Sequence, residues 1–315
     1  MATAATKSAS GGLLSRLHAW WEGYDAEAER VLADLGESPA VVEELSLDAE
    51  EGGDSEDTAR VWTEERIAAV QLVCGEGSSL PGGEKFAVSA VKPLGLNETM
   101  SVLVCGAQLG LFARVIARDT GAWVDGLEPD PMLAEAAALL SQKANLSKKA
   151  AIAAKTIDEA KIKDGSRDAV ISVEALHRAP DRDAELSAIS RVLKPGAQFL
   201  FVDFVLKSDT PSTPAIDLWR AYEPSPPSID SVASIRKSMK QRDMKVRVTA
   251  DITEDYCASL TQGLQGMAKQ LVKHPPESAM HVALLREVHY WGRRLAVLQA
   301  GDVGVVRMIA MRNKD

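Results

Sequence analysis

Residues 100–130, MSVLVCGAQLGLFARVIARDTGAWVDGLEPD, constrain the fold more than any other stretch of this chain. An apolar run over 102–105 breaks at a glycine-bearing turn, residues 106–110. The chain then takes up a helical pattern marked by Leu111, Phe112, Val115 and Ile116. A second apolar run, 122–127, ends on an acid, Glu128. The order reads as strand, tight turn, helix N-terminus and second strand. An acid about 20 positions beyond such a turn can accept hydrogen bonds from ribose hydroxyls, and the turn lets backbone approach a nucleotide-like ligand closely. This is half of a nucleoside-cofactor site. A strand-turn-helix whose glycines serve chain geometry alone is the alternative that a lone turn leaves open.

The rhythm continues downstream. The pattern predicts a helix over 131–144, a short strand over 150–155, a strand over 167–173, a helix over 183–193 closed by Lys194, Pro195 and Gly196, and a nearly continuous apolar strand over 198–205. Strands alternating with helices and apolar on both faces indicate a parallel sheet covered on both sides. A ligand then belongs at the carboxyl ends of the strands, near the switch point beside the first of them. Upstream, 61–73 and 85–91 have helical periodicity and flank a loop, GEGSSLPGG, that can bend back over the site. Beyond 205 the rhythm changes. Residues 208–228 carry five prolines and read as a loop, 229–243 as a helix and 245–252 as a strand. Two longer helices, about 254–273 and 277–300, precede a last strand over 303–311. A helical pair beside strand ends commonly shapes a substrate pocket.

Charge is unevenly placed. The chain carries −9 overall, yet residues 21–60 hold fourteen Asp and Glu against Arg30 and Arg60, net −12, which leaves about +3 for the rest. An acidic arm on a near-neutral body argues against nucleic acid as a partner, because that partner selects a basic face. No run of about 18 apolar residues is present to span a membrane. The start, MATAATKSASGG, lacks a secretory apolar core, and Cys74, Cys105 and Cys257 lie in apolar or helical contexts without metal spacing. The expectation is a cytoplasmic protein with reduced cysteines and no metal. Within the arm, 13–35 forms an amphipathic pattern anchored by Trp20 and Trp21, and 46–60 is an acidic linker. The helix either packs on its own core or docks on a partner or a membrane surface. This divides the chain into an N-terminal helix and linker, 1–60, and a body, 61–315, with a helical insertion about 254–300.

Five segments in order, GEGSSLPGG, VLVCGAQLG, WVDGLEPDPMLAEAA, DGSRDAVISVEALHRAPD and RVLKPGAQFLFVDF, give residues 61–315 a resemblance to the class I methyltransferases that use S-adenosylmethionine. The resemblance is nearest to the phosphoethanolamine and small-amine N-methyltransferases, related to cyclopropane-fatty-acid synthases. It implies an α/β, Rossmann-like seven-stranded mixed sheet with its last strand antiparallel and helices on both faces. It also implies S-adenosylmethionine as cofactor and a small-molecule methyl acceptor. By position, Gly106, Gln108 and Gly110 would line the methionine end of the cofactor, Glu128 would hold the ribose, and Asp158 the adenine. His177 falls where that group places a histidine at the substrate amine.

The chain departs from the family at several of these points. Val104 stands where the family ends its first strand on an acid, Gln108 where it has its middle glycine, Ser78 and Ser79 where an aromatic is usual, and Phe204 where a tyrosine follows the fifth strand's Asp203. Glu174 and Asp203 end strands where a substrate would lie, although carboxylates there can simply cap helices. Trp219, Tyr222, Tyr290 and Trp291 could wall a cationic substrate or belong to the core. Two functions fit: a methyltransferase acting on a small molecule such as an amine or lipid precursor, and a methyltransferase-like pseudoenzyme that binds or assembles.

Overall fold

The computed structural model describes residues 61–207, 214–223 and 227–314. The expected Trp20-Trp21 helix and the acidic linker lie outside the described residues. Within them run α1 (Glu64–Cys74), α2 (Gly83–Val91), β1 (Ser101–Cys105), α3 (Leu111–Thr120), β2 (Trp123–Leu127), α4 (Pro131–Lys143), β3 (Ala150–Ala153), β4 (Arg167–Val173) and α5 (Arg182–Val192). They are followed by β5 (Leu193–Leu206), α6 (Pro214–Tyr222), α7 (Val232–Gln241), β6 (Met244–Asp251), α8 (Thr253–Lys273), α9 (Ser278–Ala300) and β7 (Val303–Arg312).

The strands form one seven-stranded sheet in the order β3-β2-β1-β4-β5-β7-β6. β1 pairs in parallel with β2 and β4, β3 with β2, and β5 with β4, while β7 runs antiparallel between β5 and β6. Side chains alternate across each strand, so one sequence supplies two cores. Val102, Val104, Ile171, Leu200 and Val202 face a layer made by α1, α2, α3, α8 and α9. Leu103, Val170, Phe199 and Phe201 face a second layer, where Leu186 and Ile189 of α5 and Ile235 and Met239 of α7 close over them.

Local signals place the elements around the strand ends. Asp130 caps α4 by accepting from the Leu133 amide at 3.0 Å, and Pro131 occupies the first helical position, where no amide is needed. The helical insertion packs back on α1. A Cβ at Gly263 of α8 would run into the carbonyl of Val73, and Arg66 of α1 pairs with Glu287 of α9 at 2.9 Å. One expectation needs correction. Residues 208–228 are not a loop throughout, because Pro214 starts α6 instead of breaking a helix, and α6 lies against α9.

Candidate functional site

At the boundary between β1 and β4 the chain leaves neighbouring strands toward opposite faces of the sheet, and a crevice opens beyond their carboxyl ends. Here it is a cavity of about 340 Å³, lined among others by Gly106, Glu128, Asp130, Ile157, Ser172 and Leu176. Gly106 sits at φ +64°, and a Cβ there would run into the Cβ of Ala175, so the turn after β1 and the segment after β4 meet in a tight seam.

Glu128 is buried at the cavity wall. One carboxylate oxygen accepts from the Gln108 amide at 2.7 Å and the other from the Asp130 amide at 3.1 Å. Burial pushes its carboxyl up, against the opposing pull of the Asp130 and Gln108 amides and of Arg178. An ionised carboxylate offers about four acceptor positions, so two amides leave it capacity for the hydroxyls of a ligand.

The turn itself is filled. Gln108 adopts φ +51°, a conformation that favours glycine, and its side chain is anchored at both ends. Its amide nitrogen donates to the Val173 carbonyl at 3.1 Å, and its oxygen accepts from the Ser79 hydroxyl at 2.7 Å. The void left between Ser79, Val104, Gln108 and Phe112 is about 10 Å³. That is room for one water at most.

Across the seam lies a buried cluster of charged side chains. Nδ1 of His177 is 2.6 Å from Oδ1 of Asp203, whose other oxygen accepts from the His177 amide at 3.0 Å. A carboxylate only accepts, so it selects the tautomer protonated at Nδ1 and leaves Nε2 as the basic nitrogen. Nε2 has no hydrogen-bond partner among the described residues, and Glu223 stands 4.0 Å from it. Burial works against the charge of Asp203, but His177 and the amide hydrogen bonds hold its carboxyl below the usual range. Beside this pair, Arg294 donates to Glu174 at 2.5 Å and to both oxygens of Glu223 at 2.7 and 2.9 Å. Its guanidinium lies 4.5 Å from the ring centre of Tyr290, 4.9 Å from Phe204 and 5.2 Å from Trp291. Desolvation opposes the charge on Glu223, yet the bidentate guanidinium brings its carboxyl down to about 2. Both Arg294 and Glu223 are about 1% exposed.

The sequence-predicted residues are thus split. Gly106 and Glu128 reach the cavity. Gln108 supports Glu128 through its amide but closes the turn with its side chain. Gly110 lies away from the cavity, where it caps α3 against Arg114 and Ala137. Asp158 is exposed and 3.7 Å from Arg191, and its neighbour Ile157 lines the cavity in its place. Glu174, His177, Asp203 and Trp219 do come together, but around Arg294 and apart from the cavity. Trp219 donates to Glu223 at 2.6 Å and packs on Phe204, and the side chain of Tyr222 lies outside the described residues. Sequence reasoning misses Arg294 and Glu223. The one signal, for Arg294 alone, is a charge set within the apolar stripe of α9, between Trp291, Leu295 and Leu298.

This sheet order, with the cavity at its switch point, defines a Rossmann-like seven-stranded mixed sheet. Residues 103–201 match the family described as "Methyltransferase domain". The chain is 37% identical over 106 residues to the sterol 24-C-methyltransferase erg6 of Aspergillus fumigatus, covering 34% of this chain and 28% of that one. It is 29% identical over 170 residues to the methyltransferase phqN of Penicillium fellutanum, covering 49% and 52% respectively. It therefore spans about a quarter to a half of the length of these curated relatives. Among solved structures, phosphoethanolamine N-methyltransferase 2 of Haemonchus contortus superposes with a TM-score of 0.68 at 19% identity, over 79% of this chain and 57% of that one. At that identity the likeness is one of fold.

S-Adenosylmethionine, the cofactor that the fold implies, fits this site at one end only. The cavity beside Glu128 suits its nucleoside. At the turn, where the resemblance would put its amino-acid half, Gln108 leaves a void of about 10 Å³ among the described residues.

Proposed function

We propose that the protein is an S-adenosylmethionine-dependent methyltransferase that acts on a small molecule. The observation that carries this reading is the cavity at the carboxyl ends of β1, β2 and β4, walled by a buried carboxylate, Glu128, that keeps acceptor capacity for a ribose. The match of residues 103–201 supports it, as does the relative named for sterol methylation. Within this reading, amines and lipid precursors are the acceptor classes, and His177 is the base. Asp203 holds its ring, and Nε2 is the atom placed to take a proton.

One observation favours a second reading, a methyltransferase-like protein that binds without transferring. The side chain of Gln108 stands in the turn and Arg294 lies in the buried cluster beside His177, so acceptor and amino-acid tail both meet the chain's own groups. Calorimetric titration with S-adenosylhomocysteine, followed by a methyl-transfer assay on small amines, separates the two. Binding with turnover establishes the first reading, and binding without turnover the second. We also take residues 61–315 as a folding unit. A protein starting at Val61 is expected to unfold cooperatively, because domain boundaries fall in polar linkers. A molten product would assign the 1–60 segment to the core.

A further inference from the structure

The cavity ends abruptly. Its 340 Å³ lies at the lower edge of the roughly 300–1,000 Å³ typical of small-ligand sites. That suffices for a nucleoside. Its walls agree with such a ligand, since Leu127, Leu133, Ile157 and Leu176 offer apolar surface to a base while Glu128 faces the sugar. Past Gly106, three observations stop the path. Ala175 abuts the turn, so no space remains at the seam. Gln108 crosses the turn with both ends of its amide hydrogen-bonded. The residual void carries no charged residue in its lining, which is Ser79, Leu80, Val104, Phe112 and their neighbours. A zwitterionic amino-acid tail placed there would lose water and find no counter-charge among the described residues of the lining, even if Gln108 swung aside.

We propose that this cavity takes adenine nucleosides that lack an amino-acid tail, such as 5′-methylthioadenosine or adenosine, in preference to S-adenosylmethionine and S-adenosylhomocysteine, and that Gln108 sets the preference. A 5′-methylthio group is small and apolar, and it would stop short of the closed seam, against the apolar wall of the cavity. The proposal rests on the cavity being a nucleoside site and not on whether methyl transfer follows.

The test is calorimetric titration of the full chain with 5′-methylthioadenosine, adenosine and S-adenosylhomocysteine, repeated on Gln108→Gly and Ser79→Ala. The wild type is expected to bind 5′-methylthioadenosine at least about tenfold more tightly than S-adenosylhomocysteine, the equivalent of one to two hydrogen bonds. Gln108→Gly is expected to narrow that ratio by about tenfold, with little change for 5′-methylthioadenosine. Ser79→Ala, which frees one anchor, should narrow it less and decides the matter if the glycine variant does not fold. S-Adenosylhomocysteine binding as tightly as the tail-less nucleosides in the wild type would overturn the selectivity while leaving the methyltransferase reading intact. A ratio unchanged in both variants removes Gln108 as its cause. No heat with any of the three ligands would overturn the nucleoside site itself, and the methyltransferase reading with it.

Discussion

The two sides of the Gly106–Ala175 seam share the carboxyl end of β4 and are opposite in construction. On one side the fold leaves about 340 Å³ beside Glu128, whose carboxylate is only partly satisfied by the chain. On the other side Glu174 and Glu223 meet Arg294, Asp203 meets His177, and the aromatic rings of Phe204, Tyr290 and Trp291 close around the guanidinium. The comparison teaches that a carboxylate at a strand end marks a ligand site only where acceptor capacity and volume remain. Where the chain supplies its own cation, the same residue types become core.

The sharpest way to break this contrast is Arg294→Met. Removing the cation leaves Glu174 and Glu223 buried without the guanidinium that pairs them, which should cost about 3–5 kcal/mol in denaturant unfolding. Ligand affinity on the cavity side should change little. An undiminished midpoint would mean that the cluster is wet and the contrast false.

Acid probes the same side. The Glu223 carboxyl is held at about 2, below its ordinary 4.5, so its contribution is complete above pH 4.5 and disappears as pH falls toward 2. A depression of that size corresponds to roughly 3 kcal/mol. Unfolding measured from pH 5 to 2 should show the slope, and the Arg294→Met variant should lose most of it.

The cavity side responds to Glu128→Ala. Losing a charged acceptor should weaken nucleoside binding by about 1.5–3 kcal/mol, or tenfold and more, read by calorimetry with 5′-methylthioadenosine or S-adenosylhomocysteine. Unchanged affinity would remove Glu128 from the site. The smallest effect belongs to the turn between the two sides. In Gln108→Gly the loss of two side-chain hydrogen bonds is offset by relief of a left-handed backbone, and stability should stay within about 1 kcal/mol. A much larger loss in thermal melting would show that Gln108 is chiefly a structural strut.

Much of this architecture was legible in the residues. The apolar runs at 102–105, 167–173 and 198–205, the turn at Gly106 and the acid at Glu128 are local signals, and each lies in the structure where its period and spacing placed it. The loop expected over 208–228 gives way to a helix for a local reason too. Pro214 carries the same letter whether it breaks a helix or begins one, and only the burial of Ile216 and Trp219 decides between the two. Asp158 failed as a cavity residue for a similar reason: one position along a short turn exchanges an exposed acid for the buried Ile157.

What the sequence by itself determined is the set of elements and their order, because strand alternation, helical period and capping depend on residues within a few positions of one another. What only the tertiary structure decided is which polar groups at the strand ends are left for a ligand. Arg294 reaches Glu174 across 120 positions and Glu223 across 71, and Ser79 reaches Gln108 across 29. No local pattern couples such pairs. They meet only when α9 folds back over the sheet, and a charge that leaves water must then take whichever partner lies within a hydrogen bond's reach.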